Sequence, residues 1–218
     1  MRVALFLCCV GACLFFLSFG RASNNQPMKP HPLALFLIRH GEAQHNLHPD
    51  GWKLRDPPLT GLGVNQAKSL RSRFEKSSVV VFASPLLRTL QTARLIFPRP
   101  VRIIGVPELQ EIMTVPSDTG SPLSIIRRSL DGDQDLDLTL LKEDEDWWKI
   151  KPEEGRATEK ILELVKMYSK RDQIVVLVTH QGFIKRWTSE IFSNCEVQRY
   201  ELDEPTKILK KTTLNLDE

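Results

Sequence analysis

Apolar runs too short to be helices alternate along this chain with segments of helical spacing, and that alternation restricts the fold more than any other property of the sequence. Residues 33–38 form a strand-like run, and 60–74 place Leu62, Ala67, Leu70 and Phe74 at helical spacing. Residues 79–83 read as a second strand. Ser84-Pro85 has the pattern of a cap followed by a first-turn proline, opening a helix through Leu86, Leu87, Leu90, Ala93 and Ile96. Residues 101–105 make a third strand. A helix over 158–168 buries Ile161, Leu162, Leu164, Val165 and Tyr168 and leads into 174–178, the most β-prone run of all. A helix over 182–192 and an edge strand over 197–202 complete the pattern. Such alternation predicts an α/β fold, a three-layer sandwich whose central sheet is mostly parallel and whose crossovers are right-handed.

At 218 residues the chain has the length of one such domain. Its first part reads differently. Arg2 precedes an uncharged apolar run over 3–19 that ends in small residues, and Gly20-Arg21-Ala22 has the small-x-small form of a cleavage site, so 1–22 read as a signal peptide. The alternative is an uncleaved anchor through 3–19, the one way this chain would meet a membrane. Residues 23–32, with Pro27, Pro30 and Pro32, read as a linker, and 33–204 as the domain. The tail, 205–218, is expected to fray. Cys8, Cys9 and Cys13 all lie in the leader, so Cys195 is the single thiol of the remainder and no internal disulfide forms there. An inert thiol is the expectation for it. Lys and Arg number 30 against 27 Asp and Glu, and removing Arg2 and Arg21 leaves 28, which carries no nucleic-acid footprint.

Residues 108–154 interrupt the alternation with Pro107 just before them, Pro116 and Pro122 within, an acidic stretch over 131–146, and then Trp147-Trp148. This reads as an insertion over the site, with a short helix opened by Ser121-Pro122. The carboxylates fit no regular ligand spacing, so a solvated acidic face is expected and no metal site is assigned. The tryptophan pair reads as core or lid, the alternative being an exposed contact.

Chemistry-bearing residues recur where strands end. The first strand runs into Arg39-His40-Gly41-Glu42, pairing a planar fork of donors suited to phosphate with an imidazole able to act as a nucleophile. Arg88 falls in the first turn of the helix after the second strand, where guanidinium and helix terminus can face one anion. Thr179-His180-Gln181-Gly182 follows the fourth, and Glu108-Leu109-Gln110-Glu111 the third. Carboxyl ends of parallel strands are where such sheets bind ligands.

Together these stretches resemble the histidine phosphatase superfamily, also called phosphoglycerate mutase-like, in its branch 1. The resemblance runs from Leu35 to about Phe192. Arg39-His40-Gly41-Glu42 with Asn46 resembles the first motif of the family, and Pro58-Leu59-Thr60-Gly61-Leu62-Gly63 with Gln66-Ala67 its second. Ser84-Pro85-Leu86-Leu87-Arg88 through Thr92-Ala93, Leu109-Gln110-Glu111 and Thr179–Gly182 are similar to the rest. The segment over 109–120 looks most like fungal and plant members.

By that resemblance the expected activity is hydrolysis of a small phosphomonoester, with His40 taking the phosphoryl group and Arg39, Arg88, His180 and Asn46 contacting its oxygens. Glu111 would protonate the leaving oxygen, with Asp118 in reserve. No metal or cofactor is implied, and oligomeric state is left open. Ala43 and Gln181 depart from the residues many relatives carry, which would reshape the rim. Thr60 is expected to cap a helix despite its motif position. A mutase-type phosphotransferase and a non-catalytic phosphate-recognition module are the alternative functions. Arg127 and Arg128 are the nearest approach to the basic cluster a mutase would need. The leader implies secretion or the secretory-pathway lumen.

Overall fold

Side chains along each central strand alternate between two apolar clusters, one on either face of a seven-stranded sheet. The computed structural model describes residues 33–130, 132–141, 146–149, 156–168, 173–203 and 208–212. The leader and linker expected over 1–32 therefore lie outside the described residues. In chain order the elements are β1 (Leu33–Arg39), α1 (Gly61–Ser69), α2 (Arg71–Phe74), β2 (Val79–Ala83), α3 (Leu87–Ile96), β3 (Ile103–Gly105) and α4 (Leu123–Ser129). They continue with β4 (Leu136–Asp137), α5 (Arg156–Tyr168), β5 (Ile174–Thr179), α6 (Gln181–Thr188), β6 (Val197–Asp203) and β7 (Ile208–Thr212). Among the described residues no helix is long and apolar enough to cross a membrane.

The sheet order is β4-β3-β2-β5-β1-β6-β7. Strands β1 to β5 run parallel, and β6 and β7 add an antiparallel extension beside β1. Phe36, Ile38, Val81, Ala83, Val176 and Val178 face the side that holds α1 and α3, whereas Leu35, Leu37, Val80, Phe82, Val175 and Leu177 face α5 and α6. Both faces are covered, which is the three-layer α/β sandwich expected of near-continuous apolar strands.

Several elements differ from the sequence reading. The helix expected over 60–74 divides at Leu70, just after Ser69 turns its hydroxyl back onto the Gln66 carbonyl at 2.7 Å. Thr60 does cap α1, its Oγ1 accepting from Gly63 N at 3.0 Å. The helix expected over 182–192 is α6, ending at Ser189 in the left-handed region at φ 65°. Part of the insertion extends the sheet: β4 pairs in parallel with β3. Its acids are not simply solvated, for Asp133 is held by Arg94 at 2.5 Å and Arg99 at 3.3 Å, and Asp137 by Arg102 at 2.6 Å. Trp147 and Trp148 are buried edge to face, with Trp147 Nε1 donating to the Ser121 carbonyl, which makes the pair core. The tail does not fray throughout, because Ile208–Thr212 pairs with β6 and takes the sheet edge from it.

Candidate active site

Register alone brings the chemistry together. Arg39 sits opposite Thr179 and Ala83 opposite Val178, so His40, Ser84 and His180 leave the sheet side by side at the carboxyl ends of β1, β2 and β5. His40 N donates to the Thr179 carbonyl and Ser84 N to that of Val178, carrying the strand pairing one residue further. The rings of His40 and His180 then lie 5.2 Å apart, and both residues are buried.

His40 is a neutral imidazole with one defined proton. Burial lowers its pKa well below the usual histidine value, and the charges of Arg88 and Arg39 push the same way. Its Nδ1 lies 2.7 Å from the Gly41 carbonyl, an acceptor only, so Nδ1 carries the hydrogen and Nε2 keeps its lone pair. The backbone around it is pinned: Gly41 N donates to Thr92 Oγ1, and Asn194 Nδ2 donates to the His40 carbonyl.

Two arginines converge on this centre. Arg39 Nη1 donates to the Phe192 carbonyl at 2.7 Å, and that loop is braced by Gln181, whose Oε1 accepts from Phe192 N. Gln181, a departure from many relatives, thus supports an arginine. Arg88 is fully buried, donating from Nη1 to the Ser117 carbonyl at 2.7 Å and from Nη2 to Asp118 Oδ1 at 3.0 Å. Burial lowers the pKa of both guanidiniums; Asp118 and Glu111 oppose this at Arg88, and Glu111 opposes it at Arg39. The Nε of each is buried with no protein partner. Two orphaned donors beside a lone-pair imidazole form an anion site.

Glu111 reaches the site through Gly182. Its Oε2 accepts from Gly182 N at 3.1 Å, at the start of α6, and its Oε1 from Ile112 N at 2.8 Å. A methyl group at position 182 would lie 2.1 Å from Oε1, so only glycine lets the carboxylate approach this closely. Asp118, by contrast, is spent on Arg88 in a buried ion pair. The Asn46 amide is exposed and engaged locally, Oδ1 accepting from Ala43 N at 3.0 Å and Nδ2 facing His45 Nε2 at 3.2 Å. Cys195 is buried in the apolar cluster, with burial raising its thiol to about 12, and its N donates to the Arg39 carbonyl at 3.1 Å.

Sequence reasoning missed three residues. Ser84 is not a helix cap; its Oγ lies 2.8 Å from His180 Nε2 and orients that ring. Asp56 instead ties the two Ser-Pro segments together, its Oδ1 accepting from Leu87 N, the first amide of α3, at 2.8 Å and its Oδ2 from Ser121 N, just ahead of α4, at 3.0 Å. The helices therefore begin at Leu87 and Leu123, later than the Ser-Pro pattern implied. The one sequence signal for Asp56 was Asp-Pro-Pro, which reads as an ordinary turn. His45, the third, has its ring 5.6 Å from that of His40.

The model of the histidine phosphatase superfamily (branch 1) matches residues 35–207. A 2,3-bisphosphoglycerate-dependent phosphoglycerate mutase of Methylocella silvestris is 38% identical over 81 residues, 35% of this chain and 36% of that protein. The curated relatives are matched over only 30 to 36% of their own length. Among solved structures, phosphoserine phosphatase of Entamoeba histolytica in complex with 3-phosphoglyceric acid superposes with a TM-score of 0.55 at 20% identity, covering 84% of this chain and 96% of that one. The alpha-ribazole phosphatase of Shigella flexneri does so with 0.53 at 20%, covering 84% and 96%. At those identities the likeness establishes a shared fold.

Proposed function

This chain belongs to branch 1 of the histidine phosphatase superfamily, and on that premise we propose that it hydrolyses a small phosphomonoester through a phosphohistidine on His40. One observation carries the reading: the unprotonated Nε2 of a neutral, buried His40 stands among guanidiniums whose Nε donors have no protein acceptor. A phosphoryl group supplies those acceptors. Nε2 attacks phosphorus, the bond from phosphorus to the ester oxygen breaks, and Glu111 delivers the proton that the departing alkoxide takes up. Water then attacks the phosphohistidine, returns a proton to Glu111, and phosphate leaves with Nε2 restored. Charge develops on the equatorial oxygens during both displacements, and Arg39, Arg88 and His180 stabilise it by fixed position. Asp118 holds Arg88 and is not the proton donor.

The relatives named as mutases share about a third of this chain, and mutase-type transfer to a second hydroxyl is the neighbouring reading. The stretch over 109–120 supports placing the chain nearest fungal and plant phosphatases of this family. The apolar run over 3–19 supports export, with residues 1–22 removed. Hydrolysis of an aryl phosphate in chelator tests the activity. Turnover that His40→Ala abolishes while remaining folded supports it, and a folded wild type that is inactive from acidic to neutral pH overturns it.

A further inference from the structure

We infer that His45 is a third imidazole of the phosphate site, donating Nδ1–H to a non-bridging phosphoryl oxygen, with Asn46 as the positioning residue that makes this donor available. The inference rests on the phosphatase reading and adds to it a specific donor atom. The amide of Asn46 has a settled orientation, because Oδ1 accepts from Ala43 N at 3.0 Å. Nδ2 is therefore the end that faces His45 Nε2 at 3.2 Å. An amide nitrogen only donates, so Nε2 must offer its lone pair. The ring is neutral at ordinary pH, since burial and then the charges of Arg88 and Arg39 lower its pKa to about 4. A neutral ring that accepts at Nε2 carries its hydrogen on Nδ1.

That nitrogen is buried and has no protein partner. A ring N–H satisfied within the protein gives its hydrogen to a carbonyl, as Nδ1 of His40 does. Here it is withheld from the protein beside the nucleophile, on a ring 5.6 Å from His40 that feels both site arginines. The placement is also enforced from behind. A methyl group at Gly51 would fall 2.2 Å from the His45 carbonyl oxygen and 2.6 Å from its Cα, so the turn over Gly51–Lys53 packs on the backbone of His45 as only glycine permits. With Arg39 Nε and Arg88 Nε, His45 Nδ1 makes three buried donors with no protein acceptor on residues that neighbour His40.

The test measures inhibition by orthovanadate, together with kcat and KM for an aryl phosphate, in the full chain. His45→Ala is expected to weaken orthovanadate binding about 10- to 100-fold, the worth of one hydrogen bond to an anion. His45→Asn, whose amide nitrogen falls near the place of Nδ1, is expected to stay within roughly threefold of wild type, a rescue that a merely space-filling role would not produce. Nitrogen NMR should show the Nδ1–H tautomer of His45 in wild type and its loss of preference in Asn46→Ala. Wild type that hydrolyses the ester and binds orthovanadate, with His45→Ala binding it equally well, overturns this inference alone. Wild type that binds no orthovanadate overturns the reading of the site with it.

Discussion

Replacing Asp118 by alanine separates a structural carboxylate from a catalytic one. Arg88 and Asp118 are 1% and 5% exposed and 3.0 Å apart. Removing one member of a buried pair typically costs about 3 to 5 kcal/mol, because the remaining charge is left uncompensated. Here the lower end applies, since Arg88 keeps the Ser117 carbonyl at Nη1 and still feels Asp56 and Glu111. With a urea slope of about 2 kcal/mol per molar, a loss of ~3 kcal/mol moves the unfolding midpoint down by ~1.5 M. Orthovanadate should return more stability to the variant than to wild type, because the bound anion replaces the missing charge; at a hundred times its Kd, binding stabilises by about 2.7 kcal/mol. The assay is urea unfolding followed by circular dichroism, with and without orthovanadate, alongside turnover. An Asp118→Ala protein with a wild-type midpoint but no turnover on esters of poor leaving groups would refute the reasoning and make Asp118 the proton donor.

Three further outcomes follow from the same geometry. Gly182→Ala puts a methyl group 2.1 Å from Glu111 Oε1, so kcat should fall about 10²- to 10⁴-fold on alkyl phosphates and far less on aryl phosphates with good leaving groups; an equal fall on both would deny Glu111 its proton. Folding lowers the pKa of His40 and His45, so the unfolded chain binds their protons more tightly than the folded one. Their contribution to stability is complete above the unfolded value near 6.5 and is lost as pH falls below it, that of His45 as pH approaches about 4, which urea midpoints across that window measure; a midpoint that rises on acidification would contradict it. Thr60→Ala removes the cap of α1 and the 2.7 Å bond to Glu42 Oε1, at a cost of ~1 kcal/mol in the same unfolding assay.

What the sequence made legible is what depends on local pattern. Strands buried on both faces announce themselves as apolar runs, and residues at their carboxyl ends are placed by the parallel register, which is why Arg39, His40 and His180 lie together, while Glu111 joins them through its bond from Gly182 N. Arg88 joins them although its helix starts later than the Ser-Pro pattern implied. Local pattern fails where a partner is distant. Asp56 serves Leu87 and Ser121, 31 and 65 residues away, and so frees Ser84 for His180, 96 residues away. A Ser-Pro pair has the same composition whether its hydroxyl caps a helix or orients a histidine. His45 was illegible for another reason: its role depends on the tautomer, which an amide hydrogen bond fixes and no spacing encodes. The insertion hid β4 because two residues of strand carry no period, and its acids read as solvated because the pairing arginines lie on α3 and around β3.

The central claim, that His40 Nε2 becomes covalently phosphorylated, is tested most directly by rapid alkaline quench of enzyme turning over an aryl phosphate, followed by mass spectrometry of the peptide that carries His40. One added phosphoryl group is expected on that residue, stable in base and lost in acid, present in wild type and trapped more fully when Glu111→Gln slows hydrolysis of the intermediate. Turnover with His40 unmodified in both proteins, or with the phosphoryl group on another residue, would contradict it.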